Sequence, residues 1–261
     1  MPRPPRADEA GGLYHALNRG NLRAEIFHKE EDYSAFERVL GEALEIHKIE
    51  LYSYQLMPNH YHFVLRPLVD GEMSRFMGWI GGTHTMRYHA RYHTAGMGHV
   101  YQQRYKSFPI QDDEHFFVVC RYVERNALRA GFVAQAENWR WGSLWRWLQP
   151  NEPIPKLLSR WPLARLPNWV RRVNESLSEK ELDAVRLCAQ RGCRATTVGV
   201  NRSPDDSILS PQCGPEAENE CDFPINPKSK RPDPFDRAGT TKWLGKVAGG
   251  KRSATTGYST S

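Results

Sequence analysis

The sequence predicts an α+β domain built on an antiparallel sheet with helices packed on one face, the split βαβ arrangement of ferredoxin-like folds. Three observations carry this. Runs patterned for strand and helix follow one another as β-α-β-β-α-β-α within about the first 130 residues, a normal size for one domain. The second and third strand runs are separated only by Met57-Pro58-Asn59, a link short enough for a hairpin. Hydrophobic residues make up 39% of the chain while mean hydropathy stays at -0.67, which suits a water-exposed fold with a core of its own.

Residues 1-11 are rich in Pro and Arg and read as a flexible start. Leu13-Tyr14-His15-Ala16-Leu17-Asn18 then alternates as a first strand and ends in the turn-prone Asn18-Arg19-Gly20-Asn21. From Lys29 to His47, Tyr33, Phe36, Leu40, Ala43 and Leu44 recur at helical spacing and predict an amphipathic helix. Leu51 to Leu56 is the second strand, the run from Met57 to Leu65 holds the third, and Asp70-Gly71 closes the hairpin. A second helix runs from about Met73 to Tyr92, with Phe76, Ile80 and Met86 as candidates for burial.

Tyr101 to Phe108 reads as a fourth strand, with Tyr105 on one face and Arg104 and Lys106 on the other. Asp112-Asp113 caps a third helix that extends to about Ala130, where Gly131 stops it. Its core stripe is Phe116, Cys120, Val123 and Ala127; Tyr122 and Asn126 stand one turn apart on a neighbouring stripe.

The domain expected over 12-149 closes with Trp139, Trp141, Trp145 and Trp147, either a lid of buried rings or a platform on which unpaired bases stack. A helical appendage is expected over 150-194, where Ser178-Glu179-Lys180-Glu181 has a capping-box pattern. Residues 195-261 carry too little periodic apolar surface to offset their ordering entropy and read as mostly disordered.

Several function classes drop out on composition. No apolar run approaches the roughly 18 residues of a membrane span, and the basic start lacks the apolar stretch of a signal peptide, so a cytoplasmic location without membrane partners is expected. Five cysteines with no C-x-x-C indicate neither a disulfide framework nor a zinc knuckle. A net charge of +6 is compatible with a polyanionic partner without requiring one.

The chemistry starts at Met57-Pro58-Asn59-His60-Tyr61-His62. Side chains alternate along a strand, so His60 and His62 share a face while Tyr61, Phe63 and Leu65 enter a core. Two imidazoles on one face can fill two positions of a divalent ion and leave others open, although a hydrogen-bonded structural pair has the same spacing. Tyr122 alone reads as a partly buried aromatic, and Asn126 alone as a helix-end residue. His15, His84, His89, His93, His99 and His115 read as surface or structural groups.

Four blocks taken in order resemble the single-tyrosine HUH transposases (His, hydrophobe, His), most closely their REP-associated tyrosine branch. They are Tyr14-His15 through Asn18-Arg19-Gly20-Asn21, Met57-Pro58-Asn59-His60-Tyr61-His62, Arg104-Tyr105-Lys106-Ser107 and Arg121 through Gly131. The blocks fall within about residues 12-147. The chain has Ala127 where that family usually has proline, and it lacks the family's common Gly-Arg-Pro basic tail.

The resemblance implies a metal-dependent endonuclease and strand transferase for single-stranded or hairpin DNA, with Tyr122 as nucleophile and His60, His62 and Asn126 holding Mg or Mn. Arg104, Lys106, Arg121, Arg125 and Arg129 fit a solvated face as well, but their nearness to the proposed site favours phosphate contacts; the resemblance leaves a monomer or homodimer. A divalent ion would meet a chemical need, since tyrosine with a pKa of about 10 is a poor nucleophile at neutral pH. Two other readings stand beside it: a hairpin-binding protein of the same fold that does not cleave, and a metal enzyme acting on a small molecule.

Overall fold

Strands β1 (Leu13–Arg19), β2 (Ile49–Met57), β3 (His60–Pro67) and β4 (Lys106–Ile110) form one antiparallel sheet in the order β2-β3-β1-β4 in the computed structural model. The structure describes residues 7-149, 156-179, 181, 182 and 185. All lie in the first of two compact units, Met1–Phe223; the second, Pro224–Ser261, and the whole predicted tail at 195-261 lie outside the described residues. Helices α1 (Glu30–Ile46) and α2 (Glu72–Tyr92) connect the strands so that β3 separates β1 from β2, the expected split βαβ order.

Alternation along β3 sorts its side chains. Tyr61, Phe63 and Leu65 are buried together with Phe36 and Leu40 of α1 and Phe76 and Ile80 of α2. Each such ring or branched chain removed from water contributes about 1.5–3 kcal/mol. His62 and Val64 point to the other face, where α3 (Asp113–Glu124) lays Phe116, Cys120 and Val123 against Val64 and Tyr52. The expectation of helices on one face therefore holds for α1 and α2 and is corrected by α3. The reason is legible in β2 and β3, whose burial is nearly continuous from Leu51 to Leu65 as in a strand covered on both sides.

Two boundaries also differ. The fourth strand starts at Lys106 rather than Tyr101; the stretch before it forms an isolated bridge between Tyr101 and Gly20, with Gln102 N–H donating to the Arg19 carbonyl at 2.9 Å. It runs through Pro109 instead, which is tolerated because β4 lies at the sheet edge. The third helix stops at Glu124, and Asn126–Arg129 forms a separate turn, α4, before Gly131 at φ +75° ends the segment as expected. Met86 is 68% exposed, and its neighbour His84 takes the buried position, because α2 presents residue 84 to Phe27 and Phe36.

The chain after residue 138 is part of the packing. Trp139 donates from Nε1 to the Leu56 carbonyl at 2.9 Å and Trp141 stacks on Tyr33 at 5.0 Å, which favours the lid reading for these two rings. Following α5 (Ser143–Leu148), Trp161 meets Phe116 edge-on at 5.2 Å and donates to the Tyr52 carbonyl at 2.7 Å. Trp169, which opens α6 (Trp169–Asn174), donates to Glu124 at 2.7 Å. The expected capping box is formed: Ser178 N–H donates to Glu181 Oε2 at 2.8 Å and Glu181 N–H donates to Ser178 Oγ at 3.3 Å. Among the described residues, no helix is long and apolar enough to cross a membrane.

Candidate active site

The two-residue turn Pro58-Asn59 delivers β3 into the site and is held from outside. Pro58 O accepts from Ile26 and Phe27 N–H at 2.7 and 3.0 Å, and Asn59 O accepts from Gly20 N–H at 2.8 Å. A Cβ at Gly20 would lie 2.2 Å from the Ala24 carbonyl oxygen, so only glycine lets this loop approach.

His60 and His62 are both 1% exposed, with ring centroids 5.0 Å apart. Asn59 Oδ1 lies 2.6 Å from His60 Nδ1; an amide oxygen can only accept, so Nδ1 carries the proton and Nε2 keeps the lone pair. His62 Nε2 lies 3.1 Å from Asn126 Nδ2, and its Nδ1 lies 2.9 Å from His15 Nε2. With the amide nitrogen donating, His62 also carries its proton on Nδ1 and its lone pair on Nε2, an assignment that follows from the network.

Burial drives His60 down to about 3, with the charges of Arg19 and Arg129 adding to the effect. His62 is driven well below the ordinary histidine value, again mainly by burial, and His15 falls to about 3 for the same first cause. All three rings are therefore neutral near pH 7, the form in which imidazole binds a metal. Among the described residues, no group of three His, Cys, Asp or Glu side chains could hold an ion. Two imidazole nitrogens and the Asn126 amide are the donor set that remains; a half-turn of that amide would present Oδ1, an oxygen suited to Mg or Mn, where Nδ2 now faces His62.

Tyr122 reaches the same place from α3. Its ring centroid lies 6.0 Å from that of His62 and 6.2 Å from that of His15, and the Arg129 guanidinium sits over its face at 5.2 Å. The break at Arg125 leaves Tyr122 and Asn126 on the side of α3 and α4 that faces β3. A cleft of about 150 Å³ is lined by Tyr122, His62, His15, Arg104 and Lys106 together with Arg19.

The predicted basic residues divide. Arg104, Lys106 and Arg129 surround the cleft or the tyrosine. Arg121 instead donates to the carbonyls of Arg172, Glu175 and Ser176 at 2.6–3.0 Å and to Glu181 at 2.6 Å. Arg125 donates to the Glu175 carbonyl at 2.9 Å and to Ser176 Oγ at 3.3 Å. These two side chains bind the 172-181 segment to α3.

Sequence reasoning passed over three residues here. His15 reads in the sequence as a surface or structural group, yet it alternates with Tyr14 and Ala16 of the core and so shares a face with His62; only the adjacency of β1 and β3 reveals this. Asn59 orients His60 through a contact between neighbours in sequence. Glu124, fully buried, accepts from Ser143 at 2.9 Å, Trp169 at 2.7 Å and Ser53 at 3.4 Å, with Arg165 3.7 Å away; burial raises its pKa and these partners oppose the rise.

The family model described as "Transposase IS200 like" matches residues 11-126. Among solved structures, the chain is similar to a REP-associated tyrosine transposase bound to a REP hairpin, at 17% identity and a TM-score of 0.48, with 64% of this chain and 99% of the other covered. It is also similar to a candidate transposase from Deinococcus radiodurans R1 at 17% identity and a TM-score of 0.35, covering 47% of this chain and 96% of that one. No curated protein matches the chain.

Proposed function

We propose, from the match of residues 11-126 to the IS200-like transposase model, that the chain is a metal-dependent DNA strand transferase in which Tyr122 attacks a single-stranded phosphodiester at hairpin-forming repeats. The observation that carries this reading is the convergence on one cleft of a tyrosine from α3 and a histidine from β3, with the Asn126 amide on that histidine's far nitrogen.

His60 Nε2, His62 Nε2 and Asn126 Oδ1 would hold Mg or Mn, which when bound neutralises charge on the non-bridging phosphate oxygens. Arg104 and Lys106 grip the strand through its phosphates, and Arg129 keeps positive charge beside the tyrosine. Held on α3 among His62, His15 and Arg129, Tyr122 would present its oxygen for in-line attack on phosphorus. A bond forms between the Tyr122 oxygen and phosphorus as the bond from phosphorus to the 3'-oxygen breaks; the phenol gives up its proton and the departing oxygen takes one up. The products are a 5'-phosphotyrosine and a free 3'-hydroxyl. The covalent link retains the phosphodiester energy, so attack by a 3'-hydroxyl rejoins DNA without ATP.

Single-stranded or hairpin DNA is the proposed partner, in the cytoplasm, for a monomer or homodimer. The test is incubation of a 3'-labelled single-stranded hairpin with the protein and Mg or Mn, resolved under denaturing conditions. A labelled species retarded by the mass of the protein is expected. Retardation in native gels alone, with no cleavage, would instead identify a hairpin-binding protein that does not cut.

A further inference from the structure

His15 stands outside the proposed donor set, yet its ring lies close against His62, with Nε2 2.9 Å from Nδ1. The two rings are stacked at 5.1 Å with an interplanar angle of 23°, so they are held in a fixed relative orientation. His15 is 4% exposed, and Phe108 of β4 flanks it at 6.0 Å. The β1–β3 register sets this contact: His15 pairs with Val64 and Leu17 with His62, which places His15 one step along the sheet from His62 on the same face.

From this geometry we infer that His15 is a positioning residue that selects the tautomer of His62, accepting its Nδ1–H so that Nε2 is left as the lone pair aimed at Asn126. The alternative is chemically distinct. If His15 Nε2 carried a proton, His62 Nδ1 would have to accept, its proton would move to Nε2, and that nitrogen would lose the ability to bind an ion. His15 would then face the Asn126 amide indirectly, through a His62 ring of the wrong polarity. A chain of donors therefore runs from Asn126 Nδ2 to His62 Nε2 and from His62 Nδ1 to His15 Nε2, with one direction throughout. Asn59 performs the corresponding task for His60, but from a neighbouring position, whereas His15 does it from another strand.

The inference rests on the proposed ligand role of His62, and its test separates the two. Nitrogen NMR of the full chain, labelled on histidine and free of metal, reads the His62 tautomer directly. A protonated Nδ1 is expected; a protonated Nε2 in the wild-type protein would overturn the inference without any substitution. In H15F, which keeps a ring but cannot accept, His62 is expected to lose that tautomer preference, and Mn²⁺ affinity measured by calorimetry is expected to fall about 10–100-fold. In H15Q, whose amide oxygen can accept, both readouts are expected to return most of the way. H15L serves if H15F does not fold. An unchanged tautomer in H15F, or equal weakening in H15F and H15Q, would reduce His15 to packing. Wild-type protein that shows the Nδ1–H tautomer but binds no Mn²⁺ would sink the metal reading while leaving the orienting role of His15 standing.

Discussion

Asn126 Nδ2 approaches to 3.1 Å from His62 Nε2 although the two residues are 64 positions apart in the chain. The approach depends on the end of α3: after Glu124 the helix breaks at Arg125, and the new turn begins at Asn126. Replacing Asn126 by Ala is expected to lower Mn²⁺ affinity by about tenfold or more, since even outer partners of a ligand are worth that much. The fold should lose only the about 1–3 kcal/mol of one buried polar contact. Calorimetric titration with Mn²⁺ beside a melting curve separates these effects; unchanged affinity would remove Asn126 from the donor set.

Tyr122→Phe is expected to abolish the covalent protein–DNA adduct while hairpin affinity stays within a few-fold. The ring would still fill its place between His62, His15 and Arg129, and only the oxygen would be lost. Denaturing gels report the adduct and filter binding the affinity. An adduct that survives in this variant places the nucleophile elsewhere.

His84 gives the fold an acid limb that is separate from the cleft. Burial lowers its pKa to about 4, against a weaker opposing pull from Asp32, while Tyr101 Oη lies 2.6 Å from its Nδ1. The folded state thus holds fewer protons than the unfolded state between about pH 4 and 6.5, and stability falls as pH drops through that window. The loss from this one group reaches about 3 kcal/mol at the bottom of the window. Denaturant midpoints at pH 7 and pH 4.5 should show the drop, and His84→Gln should make it smaller, with buried His15, His60 and His62 supplying the rest. A slope that is the same in both proteins would leave His84 no share in the acid limb.

Much of this was legible because it rests on local periodicity. The alternation around His60 and His62, the helical stripe Phe116, Cys120, Val123 and Ala127, the Asp112 cap and the Gly131 stop all follow from neighbours in sequence, and all appear in the structure. What could not be read depends on pairing between distant segments. His15 becomes a partner of His62 only when β1 lies beside β3, and the cover of α3 over the second sheet face is set by two-sided burial that a short apolar run does not announce. Arg121 and Arg125 looked like phosphate ligands because charge on a helix has no direction in sequence; the carbonyls at 172–176 give it one.

That placement separates the basic residues by experiment. Arg121→Ala should destabilise the fold by about 2 kcal/mol, as expected when several charge-assisted hydrogen bonds to one side chain are lost, and leave the salt dependence of DNA binding nearly unchanged. Arg104→Ala and Lys106→Ala should each do the reverse, with melting little affected and the slope of log affinity against log salt reduced by about one. Slopes that fall for Arg121→Ala as much as for Arg104→Ala would return Arg121 to the DNA interface.

The last expectation concerns where the folding unit ends. Ser159 N–H donates to the Leu51 carbonyl at 2.8 Å, Trp161 closes over Phe116, and Trp169 and Arg165 both approach the carboxylate of buried Glu124. Cutting the chain after residue 149 would strip two large rings from the core and leave Glu124 a buried acid with Ser53 and Ser143 as its remaining partners; losing one such ring alone typically costs about 3–5 kcal/mol. A fragment of residues 1-149 should therefore unfold without cooperativity and fail to cleave. Residues 1-194 keep every one of these partners, and the polar text removed carries no periodic apolar pattern, so this form should melt within a few degrees of the full chain and still cleave. Its hairpin affinity should be somewhat lower at low salt, with the difference shrinking as salt rises, because the removed Lys and Arg residues attract DNA through screened charge alone. Melting curves and hairpin cleavage of the three forms decide it: a cooperative, active 1-149 would make the segment after residue 149 dispensable, and a folded but inactive 1-194 would give the tail a part in catalysis.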